Sequence, residues 1–113
     1  MKKLTIFAFI SMLATHVFAH SSVDTTTPDN GATVAEVPAE ISFSFADDIR
    51  LTKVSMTHQD SQTVTLDLGG QTSFGRTFAL PLISMGEGIY RIEWRGLGAD
   101  GHAMQGEFTF TVD

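Results

Sequence analysis

The segment GIYRIEW, residues 88–94, decides the fold class because its side chains alternate between two chemical types. Tyr90, Ile92 and Trp94 occupy every second position, and charged residues stand between them. The segment GEFTFTV, residues 106–112, alternates in the same way. A period of two residues is typical of a β-strand with one buried face. The sequence therefore predicts two half-buried strands that are joined by the short segment between them.

Two further segments, residues 40–45 and 63–68, alternate in the same way. Residues 51–57 alternate less regularly, and residues 77–82 are a further short candidate strand. Glycine, proline and asparagine residues between the segments are typical of turns, and helical periodicity is absent after residue 19. About seven short strands in a domain of this size predict an all-β fold, namely a β-sandwich with Greek-key connections. The expected core is aromatic and consists of Phe43, Phe45, Tyr90, Trp94, Phe108 and Phe110.

Residues 1–19 have the character of a secretory signal peptide. Two lysines give a positive start, residues 4–14 are apolar, and residues 17–19 (VFA) are acceptable to signal peptidase. The apolar run is shorter than the roughly 20 residues that cross a bilayer, which argues against a membrane anchor. We expect cleavage after Ala19, export to the periplasm without a membrane span in the mature protein, and a single domain over residues 20–113.

The charge and composition of the chain restrict its partners. The formal net charge is −6, and removal of residues 1–19 with their two lysines leaves −8. Nucleic-acid binding needs clustered cations, so this balance argues against a nucleic-acid partner, whereas it is compatible with attraction of metal cations. The chain contains no cysteine, which excludes thiolate metal sites, thiol redox chemistry and disulfides.

Two histidines and an aspartate form a candidate metal site. Cleavage after Ala19 would give His20 a free α-amine, and this nitrogen can chelate one ion together with the imidazole Nδ1. Asp100 and His102 stand two residues apart between two predicted strands, and Gly101 between them allows a tight turn. Nitrogen and oxygen donors suit the tetragonal geometry of copper(II), which stands at the top of the affinity order of divalent first-row metals. The sequence therefore predicts a copper(II) site on His20, Asp100 and His102.

The two ends of the chain after residue 19 also resemble a known family. The similar segments are residues 88–95, 99–102 and 106–112 towards the C-terminus, and His20, residues 27–32 and residues 41–45 towards the N-terminus. Together they are similar to the CopC family of periplasmic copper-resistance and copper-trafficking proteins. The resemblance implies an Ig-like β-sandwich of about seven strands. It also implies that His20, Asp100 and His102 are copper(II) ligands.

The resemblance further implies copper sequestration or delivery in copper resistance, without catalytic turnover, so we do not expect an enzyme. The expected partners are the copper ion and a CopD-like inner-membrane copper transporter or another periplasmic copper protein, and the expected state is a monomer. Two alternatives of other classes stay open. One is a copper-dependent oxidase with a histidine-brace-like site, and the other is a metal-free Ig-like interaction module.

Some members of the family also carry a copper(I) site in a methionine-rich loop, and here the sequence departs from them. Met56 and His58 share a face of a predicted strand, whereas Met85 and Met104 are isolated along the chain. Thioethers are soft donors that suit copper(I), but several have to converge, and scattered methionines commonly fill gaps in cores. A copper(I) site on Met56 and His58 stays an open alternative.

Overall fold

The computed structural model describes residues 23–113, and all regular structure in that range is β. The strands are β1 (Val23–Thr27), β2 (Ala32–Val34), β3 (Glu40–His58), β4 (Val64–Thr65), β5 (Gly75–Pro81), β6 (Gly88–Gly98) and β7 (Ala103–Val112). The predicted all-β fold of about seven strands is confirmed. None of the described residues belongs to a helix that is long and apolar enough to cross a membrane. The predicted signal peptide and His20 lie outside the described residues.

The longest strand, β3, links the two halves of a sheet that folds over on itself. Its first half pairs with β1 and β5, and its second half pairs mainly with β4 and β6. The register shifts between Ser44 and Ile49, where residues 46–48 are exposed in succession. The sequence predicted two strands here, residues 40–45 and 51–57, because the alternation breaks at those three residues. The structure instead has one strand, which continues through the irregular residues without a turn.

An antiparallel hairpin of β6 and β7 carries the loop of the candidate site. The two strands are paired continuously from Gly88 opposite Val112 to Leu97 opposite Ala103. Both strands are longer than the predicted alternating segments, because their pairing continues up to the loop. The other edge of β6 pairs with β3, and β7 pairs in parallel with the short β2 at its C-terminal end. The strand order is therefore β1-β3-β6-β7-β2.

The aromatic core is the one that the sequence predicted, because all six predicted residues are at most 5% exposed. The ring of Trp94 meets that of Phe45 edge-on, with their centroids 4.9 Å apart, and Tyr90 stacks on Phe110 at 5.1 Å. Phe43 lies at the centre of the cluster, next to four other aromatic rings. Edge-on and offset arrangements are the favoured geometries of such rings. The folded sheet thus encloses these six aromatic side chains and does not display them as a binding platform.

Replacement of Phe43 by alanine should lower the free energy of unfolding by about 3–5 kcal/mol, because the change removes a fully buried ring and leaves a cavity. Phe74→Ala is the matched control, since Phe74 is 49% exposed, and it should change the same free energy by about 0.5 kcal/mol or less. Urea denaturation followed by the fluorescence of Trp94 measures both. Equal effects of the two substitutions would contradict this description of the core.

Candidate metal centre

The loop between β6 and β7 is a tight turn that both strands hold in place. The amide of Gly101 donates to the carbonyl of Gly98 at 2.9 Å, and the amide of Gly98 donates to the carbonyl of His102 at 2.9 Å. Gly101 has a φ of 86°, in the left-handed region that glycine adopts without a Cβ penalty. This combination is typical of short hairpin loops that end in a glycine bulge. The prediction that Gly101 permits a tight turn between Asp100 and His102 is confirmed.

Asp100 and His102 meet across this turn. The Nδ1 atom of His102 lies 2.8 Å from Oδ2 of Asp100, and the backbone amide of His102 donates to Oδ1 of Asp100 at 3.0 Å. Both side chains are largely exposed, that of His102 to 81% and that of Asp100 to 68%. The structure therefore brings together two of the three predicted ligands, in a position that an ion from solvent can reach directly.

The two groups shift each other's protonation equilibria in opposite directions. The hydrogen bonds that Asp100 accepts from the side chain and backbone of His102 hold the pKa of its carboxyl below the usual value. The same side-chain hydrogen bond, together with the negative charge of Asp100, raises the pKa of the His102 imidazole. A group with a raised pKa keeps its proton to higher pH. The two opposite pKa shifts therefore have one origin, the hydrogen bond between Nδ1 of His102 and Oδ2 of Asp100.

The spacing of these donor atoms also suits a metal ion. Two donors that occupy adjacent corners of a square around an ion, each about 2.0 Å from it, are separated by about 2.8 Å. The measured distance between Nδ1 of His102 and Oδ2 of Asp100 is 2.8 Å. The two donor atoms thus stand at the separation that adjacent corners of a tetragonal site require.

The start of β1 points towards the end of the molecule that holds this loop. Val23 pairs with Phe45 of β3, and β3 then continues to Ile49, which pairs with Gly98 at the base of the loop. β1 is antiparallel to β3. Followed backwards from Val23, the chain therefore heads in the direction in which β3 runs from Phe45 to Ile49, towards the loop. His20, the third predicted ligand, lies outside the described residues. Within residues 23–113, no three histidine, aspartate or glutamate side chains converge as a metal cluster.

Met56 and His58, the open alternative for copper(I), lie at the other end of the sheet. His58 pairs with Tyr90 of β6, eight residues before Gly98, which corresponds to about 26 Å along the strand. Nε2 of His58 is hydrogen-bonded to the carbonyl of Glu87 at 2.7 Å, and its ring packs against that of Tyr90. Met56 is fully buried. The imidazole and the thioether are therefore parts of the packed interior in the described structure.

One sulfur atom lies beside Asp100, and the sequence did not indicate it. The Sδ atom of Met104 and the Oδ1 atom of Asp100 both approach the position that a Cβ atom would take on Gly98, at 3.2 and 3.0 Å. In the sequence Met104 was an isolated methionine. The sequence does contain one signal for it. Met104 stands two residues after His102, at the start of the strand that leaves the loop.

The fold and the exposed Asp-His pair define a class, a small β-sandwich with an aspartate and a histidine together at the tip of one hairpin. The domain model of the CopC family matches residues 23–113. The chain therefore belongs to the CopC family. Comparison with curated protein sequences gave no significant match.

Two solved structures illustrate the similarity of fold. CopC from Methylosinus trichosporium OB3b superposes with a TM-score of 0.66 at 23% sequence identity, over 83% of this chain and 94% of that protein. PcoC, described as a methionine-rich copper resistance protein from Escherichia coli, superposes with a TM-score of 0.58 at 25% identity, over 84% of this chain and 100% of that one. The predicted resemblance to this family and its β-sandwich fold are confirmed.

Asp100→Asn should lower the pKa of His102 towards its ordinary value, because the substitution removes the negative charge and replaces the carboxylate acceptor with a weaker, neutral amide oxygen. A pH titration of the His102 ring protons by NMR in metal-free protein measures the change. Asp48→Asn is the control, since Asp48 also carries an exposed carboxylate but pairs with Arg76 at 3.0 Å. An equal shift in both variants, or none in Asp100→Asn, would contradict the hydrogen-bonded pair.

Proposed function

We propose that this chain is a periplasmic copper(II)-binding protein that sequesters or delivers copper in copper resistance. The site consists of the amine and imidazole of His20, completed by Asp100 and His102. The observation that carries the proposal is the exposed pair of donor atoms in the β6–β7 loop, 2.8 Å apart, in a chain of the CopC family. The similarity in fold to PcoC, which is described as a copper resistance protein, supports the same metal.

His20 lies close in sequence to the first described strand, so its reach is limited to the surroundings of Val23. Val23 is three residues after His20, and three extended residues span at most about 11 Å. The direction of β1 supports an approach of His20 to the loop. Val23 pairs with Phe45 of β3, only four residues before Ile49, which pairs with Gly98. A β1 strand that ran in the opposite direction would have argued against a shared site.

The donor set would suit copper(II) in number and kind. The α-amine and Nδ1 of His20 form a six-membered chelate ring, which supplies two nitrogen donors from one residue. The imidazole of His102 and the carboxylate of Asp100 would supply the other two corners of a tetragonal plane. All four donors are borderline or hard, and three of them are nitrogen atoms. The exposure of the loop leaves the ion accessible to a receiving protein, which suits transfer without turnover.

Export and transfer complete the proposal. Residues 1–19 act as the signal peptide, and cleavage after Ala19 creates the free amine of His20. The mature domain of residues 20–113 then works as a monomer that passes copper to a CopD-like inner-membrane transporter or to another periplasmic copper protein. The aromatic side chains of the described core are buried, so they offer no stacking surface of the kind that a polysaccharide-oxidising enzyme would need.

One added alanine before His20 should weaken copper(II) binding by at least about 10–100-fold, which is the loss seen when even an outer hydrogen-bonding partner of a metal ligand is removed. The extension converts the α-amine of His20 into a peptide nitrogen and so abolishes the six-membered ring of amine and imidazole. Competition titration with a copper(II) chelator gives the affinity, and EPR spectra report the loss of nitrogen donors. Mass spectrometry first establishes that the mature protein begins at His20.

The matched control adds one alanine after Asp113, an exposed residue at the other terminus of the chain. This variant has the same added mass and should bind copper(II) like the unextended protein. His102→Ala should lose affinity to a similar degree as the N-terminal extension. Undiminished copper(II) affinity in the N-terminally extended protein would show that His20 is not a ligand through its amine.

Copper(II) binding should also release protons and weaken as the pH falls from about 7.5 towards 5. The reason is that a free α-amine ordinarily has a pKa of about 7.7–8.0 and histidine one of about 6.5, and copper binds only their neutral forms. For His102 the sign is the same, since its raised pKa lets the proton compete with the ion to higher pH. Calorimetry in buffers of different ionisation enthalpy counts the protons, and a pH-independent affinity would contradict these ligands.

A further inference from the structure

A thioether lies next to the carboxylate of the proposed copper site. The Sδ atom of Met104 is 3.2 Å, and Oδ1 of Asp100 3.0 Å, from the position of a Cβ atom on Gly98. The backbone carbonyl of His102 lies 3.8 Å from the same point. The sulfur and the carboxylate oxygen therefore converge above Gly98, at the base of the loop that bears both described donors.

Glycine at two successive inward positions of β6 makes this approach possible. Met104 stands opposite Gly96 in the β6–β7 pairing, and the next inward position of β6 is Gly98. A side chain at Gly98 would occupy the space into which the sulfur and the carboxylate reach. Met104 reaches into the space that Gly98 leaves at the rim of the core, where it is only partly buried, whereas Ile49 provides the side chain nearest to the Cβ position of Gly96.

The chemistry of a thioether differs from that of the other donors of the site. Methionine sulfur is a soft ligand that favours copper(I), whereas imidazole binds copper in both oxidation states. A methionine side chain has three rotatable bonds, so its sulfur can move to a metal without a change in the backbone. The sulfur of Met104 already lies close to the carboxylate that is hydrogen-bonded to His102.

The other methionines of the described residues do not share this position. Met56 is fully buried within β3, among the core residues. Met85 lies before β6, with its amide bonded to the hydroxyl of Tyr90, at the end of the sheet that is remote from the loop. Met104 alone among them stands beside the donor pair.

We infer that Met104 is a copper(I) ligand, a thioether donor through which the Asp100–His102 loop also holds copper in its reduced state. This inference rests on the proposed function, because it assigns a second oxidation state of the cargo to the same site. A site built only of nitrogen and oxygen donors lacks a soft ligand for copper(I). With the sulfur of Met104, the site keeps copper(I) bound when the ion is added in that oxidation state.

The test compares copper(I) and copper(II) affinities in the mature protein and in Met104→Leu, a substitution that conserves volume and apolar character. Copper(I) is added anaerobically and titrated against a copper(I) chelator, and copper(II) is titrated separately against a copper(II) chelator. Met104→Leu should lose at least about tenfold in copper(I) affinity and keep its copper(II) affinity within about twofold. X-ray absorption of the copper(I) form should show a sulfur neighbour at about 2.3 Å, which Met104→Leu lacks.

Met85→Leu is the matched control, since it also replaces one partly exposed methionine, and it should leave both affinities unchanged. Equal copper(I) affinity in the mature protein and Met104→Leu, or a sulfur neighbour that persists in Met104→Leu, would overturn the role of Met104 while copper(II) binding stands. Loss of copper(II) binding in the mature protein itself would instead contradict the proposed function. A parallel loss of both affinities in Met104→Leu would mark Met104 as a packing residue and also overturn the inference.

Discussion

The antiparallel pairing of β6 with β7 is the constraint on which both the fold and the site depend. It runs without interruption from Gly88 opposite Val112 to Leu97 opposite Ala103, and β3 covers the other edge of β6. The strands on both sides leave the loop little freedom, because its ends are fixed by backbone hydrogen bonds. A metal site needs such rigid support to hold its donors in the productive geometry. The strands that enclose the core therefore also set the distance between Asp100 and His102.

The two described histidines lie at opposite ends of this sheet and in different environments. His58 is packed on Tyr90 and bonded to the carbonyl of Glu87, so its polar atom is satisfied within the interior. His102 is exposed and faces a carboxylate at the tip of the hairpin. Buried polar groups are usually hydrogen-bonded for reasons of stability, whereas the exposed imidazole of His102 is accessible from solvent, as the proposed copper site requires.

Glycines shape the end of the molecule where the donors lie. Gly101 takes the left-handed conformation that closes the loop. Gly98 has no side chain, and the side chains of Asp100 and Met104 both reach into the space that this leaves. A carboxylate, an imidazole and a thioether thus gather within one turn and its flanking strand. Donors of different softness at one place give a protein that handles copper a means of holding the ion in more than one state.

The sequence by itself determined the all-β class, the aromatic core, the family and the loop that carries Asp100 and His102, because strand alternation and turn chemistry are local properties. It did not reveal that β3 is one strand, since three exposed residues interrupt the alternation while the strand itself continues. His20 stays a prediction from the sequence. Only the tertiary structure decided that His58 lies far from the loop and that Met104 lies beside Asp100. The reason is physical: such distances depend on which strands pair and in what register, and on where glycines leave space, none of which a local pattern encodes.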